Sequence, residues 1–124
     1  MRSKTVILDT SSIIFGLSNN RNVFSLLSER FPGSVICISH GILNEIQGIA
    51  SGRTRYAKNA KAALALIKGQ GSISIAGSRA YPDRWITESA GSGSIVCTND
   101  TALKRELKRK GIAAVSISRS GAIR

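Results

Sequence analysis

Acids are scarce in this chain. Its 124 residues hold seven Asp and Glu against eighteen Lys and Arg, for a net charge of +11. Such an excess costs self-repulsion, and a polyanionic partner is the usual reason to carry it. Nucleic acid heads the candidates and an anionic membrane surface comes second, with a merely soluble basic domain as the bland alternative. Cysteine is scarcer still. Cys37 and Cys97 stand far apart, each inside an apolar run with no second cysteine nearby. That pattern implies two reduced core thiols rather than a disulfide or a zinc site. The single histidine, His40, opens a predicted helix near Cys37 and reads as structural. No apolar run approaches a membrane span, and Asp9 cuts the N-terminal apolar stretch too early for a signal peptide. The expectation is a cytoplasmic protein with no membrane partner. A P-loop is lacking too, because "AGSGS" has neither the Lys nor the following Ser/Thr that one requires.

What is present is an alternating pattern. The length suits one domain over residues 1–124, and an apolar fraction of 42% is enough to build a core. Five short β-branched segments, Thr5–Leu8, Ser34–Ile38, Ser72–Ile75, Ser94–Cys97 and Ala114–Ile117, read as strands covered on both faces. Between them the apolar residues have helical spacing. Val23, Leu26, Leu27 and Phe31 share one face; Ile42, Leu43, Ile46 and Ile49 share another. Tyr56, Ala60, Ala63, Leu64 and Ile67 mark a fourth helix with Gly69 as its cap, and Leu103 and Leu107 a last helix ended by Gly111. The connections, Gly69–Ser72 among them, are of ordinary length, and no internal repeat is visible. Strands alternating with helices predict an α/β fold, a three-layer α/β/α sandwich around a parallel sheet of four to five strands.

In such a sheet, ligands bind beyond the carboxyl ends of the strands. In "VILDTSSII" the first strand runs straight into Asp9, and in "IVCTND" the fourth is followed by Asp100. Asp83, in "AYPDRWI", lies in the connection before the fourth strand. Glu45, in "SHGILNEI", sits about 9 Å into the helix after the second strand, at 1.5 Å per residue. Four of the few acids thus fall where they can converge on one edge. Each has a structural alternative: Asp9 as a turn cap, Asp83 and Asp100 at helix N-termini, Glu45 as an exposed helix residue. Taken together they repel and call for a cation, and hard oxygen donors without His or Cys suit Mg²⁺ or Mn²⁺.

Basic residues collect elsewhere. Between Glu45 and Asp83 no acid occurs, while Arg53, Arg55, Lys58, Lys61, Lys68 and Arg79 do. Arg55, Lys58 and Lys61 recur every three residues as a predicted stripe on the fourth helix. Lys104, Arg105, Lys108, Arg109 and Lys110 load the last one. These stripes suit a phosphate backbone, with a solvated face as the alternative. Trp85 reads as core or interface packing before base stacking.

The order of these motifs resembles the PIN-domain nuclease family. A strand ending in "LDTS", a helix with "ILNEI", then "PDRWI" and "CTNDTALKRELKRKGI" follow the family pattern over nearly the whole chain. The likeness is greatest to small archaeal PIN proteins related to the eukaryotic endonuclease that processes ribosomal RNA precursors. VapC-type toxins are neighbours. The resemblance implies a divalent-metal-dependent endoribonuclease leaving a 5′-phosphate and a 3′-hydroxyl. It implies Asp9, Glu45, Asp83 and Asp100 as metal-binding and catalytic acids, although Pro82 and Arg84 replace the small or acidic neighbours usual around Asp83. Thr98 and Asn99 match the polar pair before the last acid. Ser11 matches a hydroxyl near the metal and also reads as the N-cap of the next helix. RNA, single-stranded or an rRNA precursor, is the implied partner, with a homodimer common in the family and an antitoxin required for a toxin. A non-catalytic RNA-binding protein fits the charge equally but not the acids. A phosphotransfer receiver does not fit the acids, since Thr10 follows Asp9 and "SISIAGS" carries no acid.

Overall fold

The computed structural model describes residues 4–70 and 73–124. The chain runs β1 (Thr5–Leu8), α1 (Thr10–Ser18), α2 (Val23–Arg30), β2 (Val35–Ser39), α3 (His40–Ser51) and α4 (Ala57–Gly69). It continues through β3 (Ile73–Ala76), α5 (Pro82–Ser89), β4 (Ser94–Cys97), α6 (Thr101–Arg109) and β5 (Ala113–Val115). All five strands are parallel, in the order β3-β2-β1-β4-β5. The chain therefore builds outward from β1 in one direction, then crosses back to build outward in the other. Right-handed crossovers in both directions place helices on both faces, giving the three-layer α/β/α arrangement. The reversal lies between β1 and β4, whose registers pair Leu8 with Cys97. Their next residues, Asp9 and Thr98, leave the sheet side by side.

The sheet centre explains the lack of alternation in the sequence. Val6, Ile7 and Leu8 in β1 and Ile95, Val96 and Cys97 in β4 are all buried, so both faces are covered. At the edge, β3 exposes Ser74 and Ile75. Helices supply the cover: Phe24 and Leu27 from α2, Ile42 and Ile46 from α3, Ala60 and Ala63 from α4, Leu103 and Leu107 from α6. Each large side chain fully buried there contributes about 1.5–3 kcal/mol relative to exposure. Phe24 and Ala50 belong to this core although the apolar spacing does not single them out, whereas Leu26, Phe31, Leu43, Ile49 and Leu64 are only partly buried. Trp85 is in the core, and both cysteines are free thiols, Cys97 buried and Cys37 half-buried. Among the described residues no helix is long and apolar enough to cross a membrane.

Element boundaries differ locally from expectation, with β2 and the last strand beginning at Val35 and Ala113. Gly69 is the last residue of α4 and Gln70 is its cap, while Tyr56 stands at the N-cap rather than on the helix face. Strand β2 extends to Ser39, whose hydroxyl accepts from Ile42 N–H and so starts α3. Ser72, the first residue expected of the third strand, lies outside the described residues, as does Gly71. The last strand stops at Val115, and Ile117 leaves the sheet to bridge Ile123. Gly111 does end α6. Its φ of 75° lets its N–H reach Lys108 O while Ile112 N–H reaches Leu107 O, the paired bonds of a left-handed helix stop. Gly41 is required for a different reason: a Cβ there would collide with the backbone carbonyl of Ala80. That close approach, joined by Gly41 N–H donating to Ser78 O at 3.1 Å, brings the loop before α5 against α3.

Candidate metal and nucleic-acid site

A cleft of about 620 Å³ opens at the carboxyl edge of the sheet, and Asp9, Glu45, Asp83 and Asp100 all line it. Its position is dictated by strand order, because the divergence of the chain on either side of β1 and β4 leaves a crevice there. Thr10, Ser11 and Asn99 share its polar wall, and Ile14, Phe15, Ile49 and Tyr56 its apolar one. No His or Cys is among the residues that line it.

Asp9 is the most constrained of the four. It is 5% exposed and occupies the N-cap position of α1, yet its carboxylate makes no cap bond. Instead Oδ2 accepts from the Ser11 hydroxyl at 2.6 Å and the Thr98 hydroxyl at 2.8 Å. The turn-cap role open to Asp9 in the sequence is therefore not what its side chain does. Ser11 is not the N-cap either: it lies inside α1 and holds Asp9.

The "TND" segment wires this arrangement together. Thr98 Oγ1 accepts from Asp100 N–H at 3.1 Å while donating to Asp9, and Asn99 N–H donates to Ser11 Oγ at 3.0 Å. The Asn99 side chain accepts from Ser12 Oγ and from Ile117 N–H, and donates to Ile117 O. This amide does for Ile117 what a strand neighbour would do, which explains why β5 can end early. Asp100 Oδ1 accepts from Leu103 N–H at 3.1 Å and caps α6. Its capping alternative is thus real, and it uses one of the two carboxylate oxygens.

Glu45 and Asp83 differ. Both are exposed, and both ride on helices. Partial desolvation is the main cause that lifts both carboxyls above the ordinary range. For Glu45 the Thr10 hydroxyl opposes the rise and the charges of Asp9 and Asp83 add to it. For Asp83 the charges of Asp9, Asp100 and Glu106 add to it. Thr10 Oγ1 itself is buried and falls short of hydrogen-bonding geometry with any protein atom. Mutual repulsion among acids beside an orphaned hydroxyl is the electrostatic setting of a cation site. Among the described residues, however, no three His, Cys, Asp or Glu side chains stand close enough to grasp one ion together. Mg²⁺ tolerates that spacing, since it keeps several waters and takes one or two carboxylates.

The basic residues divide. Lys58 and Lys61 are exposed on α4, and Arg105 and Lys108 on α6. Arg55 lies outside α4, in the turn before it, so the expected helical stripe is shorter by one member. There its guanidinium stacks on Tyr56 at the edge of the cleft, 4.8 Å from the ring centroid. Lys104 is not free: its ammonium donates to Ser116 Oγ at 2.8 Å and to Arg124 O at 3.2 Å, because α6 packs along the C-terminal segment. His40 is absent from the cleft lining. Tyr56 was legible only as an apolar helix position, and Thr54, Phe15 and Ser18 carried no signal at all.

Known proteins agree with this architecture. The PIN domain endonuclease Utp24 superposes with a TM-score of 0.68 at 22% identity, over 92% of this chain and 85% of that one. A domain of a functionally unknown protein from Methanocaldococcus jannaschii DSM 2661 gives 0.72 at 19% identity, over 94% and 92%. At such identities the likeness is one of fold. Comparison with curated proteins produced no match. The sequence profile described as a PIN like domain aligns with residues 6–119, from the strand that delivers Asp9 to the segment that Asn99 holds. The chain thus belongs to the PIN-like domain family.

Proposed function

We propose that this protein is a divalent-metal-dependent endoribonuclease, with Mg²⁺ or Mn²⁺ as cofactor and ribosomal RNA processing as its role. Nuclease activity is the coarse reading that family membership supports. The observation that carries the metal dependence is the convergence of four carboxylates, from four separate elements, on the crevice between β1 and β4; the ribosomal RNA role rests on the motif resemblance alone. Asp9 and Asp100 are the proposed direct ligands, each with one carboxylate oxygen not engaged by the hydrogen bonds described above. Glu45 and Asp83 complete the set or orient the attacking water. When bound, a divalent cation neutralises the scissile phosphate and makes a neighbouring water easier to ionise.

The chain's own residues do the rest. Ser11 and Thr98 fix the Asp9 carboxylate before substrate arrives, so no reorganisation is needed at the moment of reaction. Glu45 lines the same cleft, where its carboxylate can accept a hydrogen bond from the attacking water. The exposed cations Lys58, Lys61, Arg105 and Lys108 supply sequence-independent attraction for the phosphate backbone.

A second reading, a non-catalytic RNA-binding protein, is favoured by the charge of +11 and by the lack of a closed ligand triad among the described residues. One assay separates the two. Single-stranded RNA incubated with the protein and Mn²⁺ should give products with 5′-phosphate ends, and EDTA or Asp9→Asn should abolish them. Binding without cleavage under any divalent ion would select the second reading.

A further inference from the structure

A second pocket, of about 360 Å³, adjoins the acidic cleft and is lined by Ser18, Arg55, Tyr56 and Asn59. Ser18 and Tyr56 line both, so the two spaces share a wall. Their chemistry is opposite. The cleft holds four carboxylates, whereas among the described residues no acid lines the second pocket and its one charge is the Arg55 guanidinium. A cavity of this size falls in the range that small ligands occupy.

The Arg55–Tyr56 pair is held in a defined shape. The guanidinium lies over the ring, 4.8 Å from its centroid, and Nη2 donates to the Tyr56 hydroxyl at 2.6 Å. The turn beneath is closed by Tyr56 N–H donating to Thr54 Oγ1 and Ala57 N–H to Thr54 O. Two flat groups are thus stacked and anchored at the mouth of the cleft. A nucleobase stacks on an aromatic ring or on a guanidinium plane alike, and among the described residues no carboxylate pairs with Arg55 to compete with a phosphate.

We propose that Arg55 and Tyr56 form a nucleotide subsite, which takes one unpaired RNA nucleotide next to the scissile phosphate. Its base stacks on the Arg55–Tyr56 pair and its phosphate binds the guanidinium. The assignment rests on the ribonuclease reading of the acidic cleft. It adds that the RNA enters single-stranded, because a base paired in a duplex would first have to break its pairing and stacking to fill the pocket. The other basic cluster does not offer this. Arg105 and Arg109 flank a pocket that also contains Glu106, and no residue of it lines the cleft.

The test is binding in EDTA, where no cleavage interferes, read by fluorescence anisotropy with a labelled mixed-sequence single strand and a duplex of the same length. Tyr56→Leu should weaken the single strand roughly five- to a hundredfold, while Tyr56→Phe, which keeps the ring, stays within about twofold. Duplex affinity should not change. Arg55→Ala should lower the salt slope by about one unit, the share of a single phosphate. In the unmodified protein, one abasic nucleotide moved along the strand should cost affinity at a single position, and that loss should vanish in Tyr56→Leu. Equal affinity of Tyr56→Leu and the unmodified protein for the single strand overturns the subsite, as does equal weakening of duplex. If Tyr56→Leu melts early, the abasic series decides alone, and the absence of a sensitive position overturns the proposal. Mn²⁺ added afterwards reads the other question: RNA that binds through Tyr56 and stays whole refutes the nuclease, not the subsite.

Discussion

The two halves of the acidic cleft are built differently. On the sheet side, Asp9 and Asp100 follow adjacent central strands, and hydroxyls or a backbone N–H already hold their oxygens. On the helix side, Glu45 and Asp83 project from α3 and α5, exposed and with raised pKa values. One half is preorganised and the other is under electrostatic tension. The difference follows from packing: a residue ending a central strand is enclosed by the neighbouring strand's loop, whereas a helix residue meets the site across solvent. Under the proposed function, the sheet half sets the cation's position and the helix half responds to its charge.

Removing an anchor of the rigid half should have the largest effect. Asp9→Asn is expected to lower cleavage by roughly 100- to 1,000-fold or more. Yet it should melt no lower than the unmodified protein in EDTA, because the Asn carbonyl can still accept from Ser11 and Thr98 and one repelling charge is gone. Mn²⁺ at about a hundred times its Kd should stabilise the unmodified protein by about 2.7 kcal/mol and the variant by less. Calorimetry with EDTA and with Mn²⁺ checks this; retained cleavage would sink the comparison together with the proposed function.

Thr98→Val tests preorganisation itself. The valine keeps the volume but frees Asp9 of one donor and leaves Asp100 N–H without its acceptor. Such a supporting change should cost about 10- to 100-fold in activity or metal affinity, and the lost hydrogen bond of a half-buried donor about 0.5–1.5 kcal/mol in stability. If denaturation shows the stability loss but activity holds, Thr98 is only structural.

The tense half should reveal itself through pH. Carboxyls raised on folding favour the folded state while protonated. Without metal, their stabilising contribution is complete below the ordinary values of 4.5 for Glu45 and 3.8 for Asp83, and is lost as pH rises through the raised values. Tm in EDTA should therefore decline across that window, less steeply in Glu45→Gln and Asp83→Asn, and Mn²⁺ should flatten the decline. An identical pH profile in all three proteins would mean that solvent screens the helix half completely.

The smallest effect lies outside both halves. Replacing Lys58 and Lys61 with Ala should leave Tm unchanged and reduce the salt slope of RNA binding by about one unit for each phosphate no longer neutralised. An unchanged slope would make these lysines a solvated face.

The order of elements, and which acids could meet, are legible in the amino-acid pattern alone. Val6–Leu8 and Ile95–Cys97 are short buried runs, and helical spacing separates them, so the alternation is a local property that each segment carries alone. The rule that ligands sit beyond strand ends then pointed to Asp9 and Asp100. How those acids are held depends on long-range packing. Thr98 reaches Asp9 across 89 residues of chain, and Ser12 reaches Asn99 across 87, pairings that exist because β1 lies beside β4. The early end of β5, the engagement of Lys104 and the pocket of Arg55 and Tyr56 are of the same kind. Each depends on which distant segment packs alongside, and no local pattern of hydrophobicity or charge encodes a neighbour.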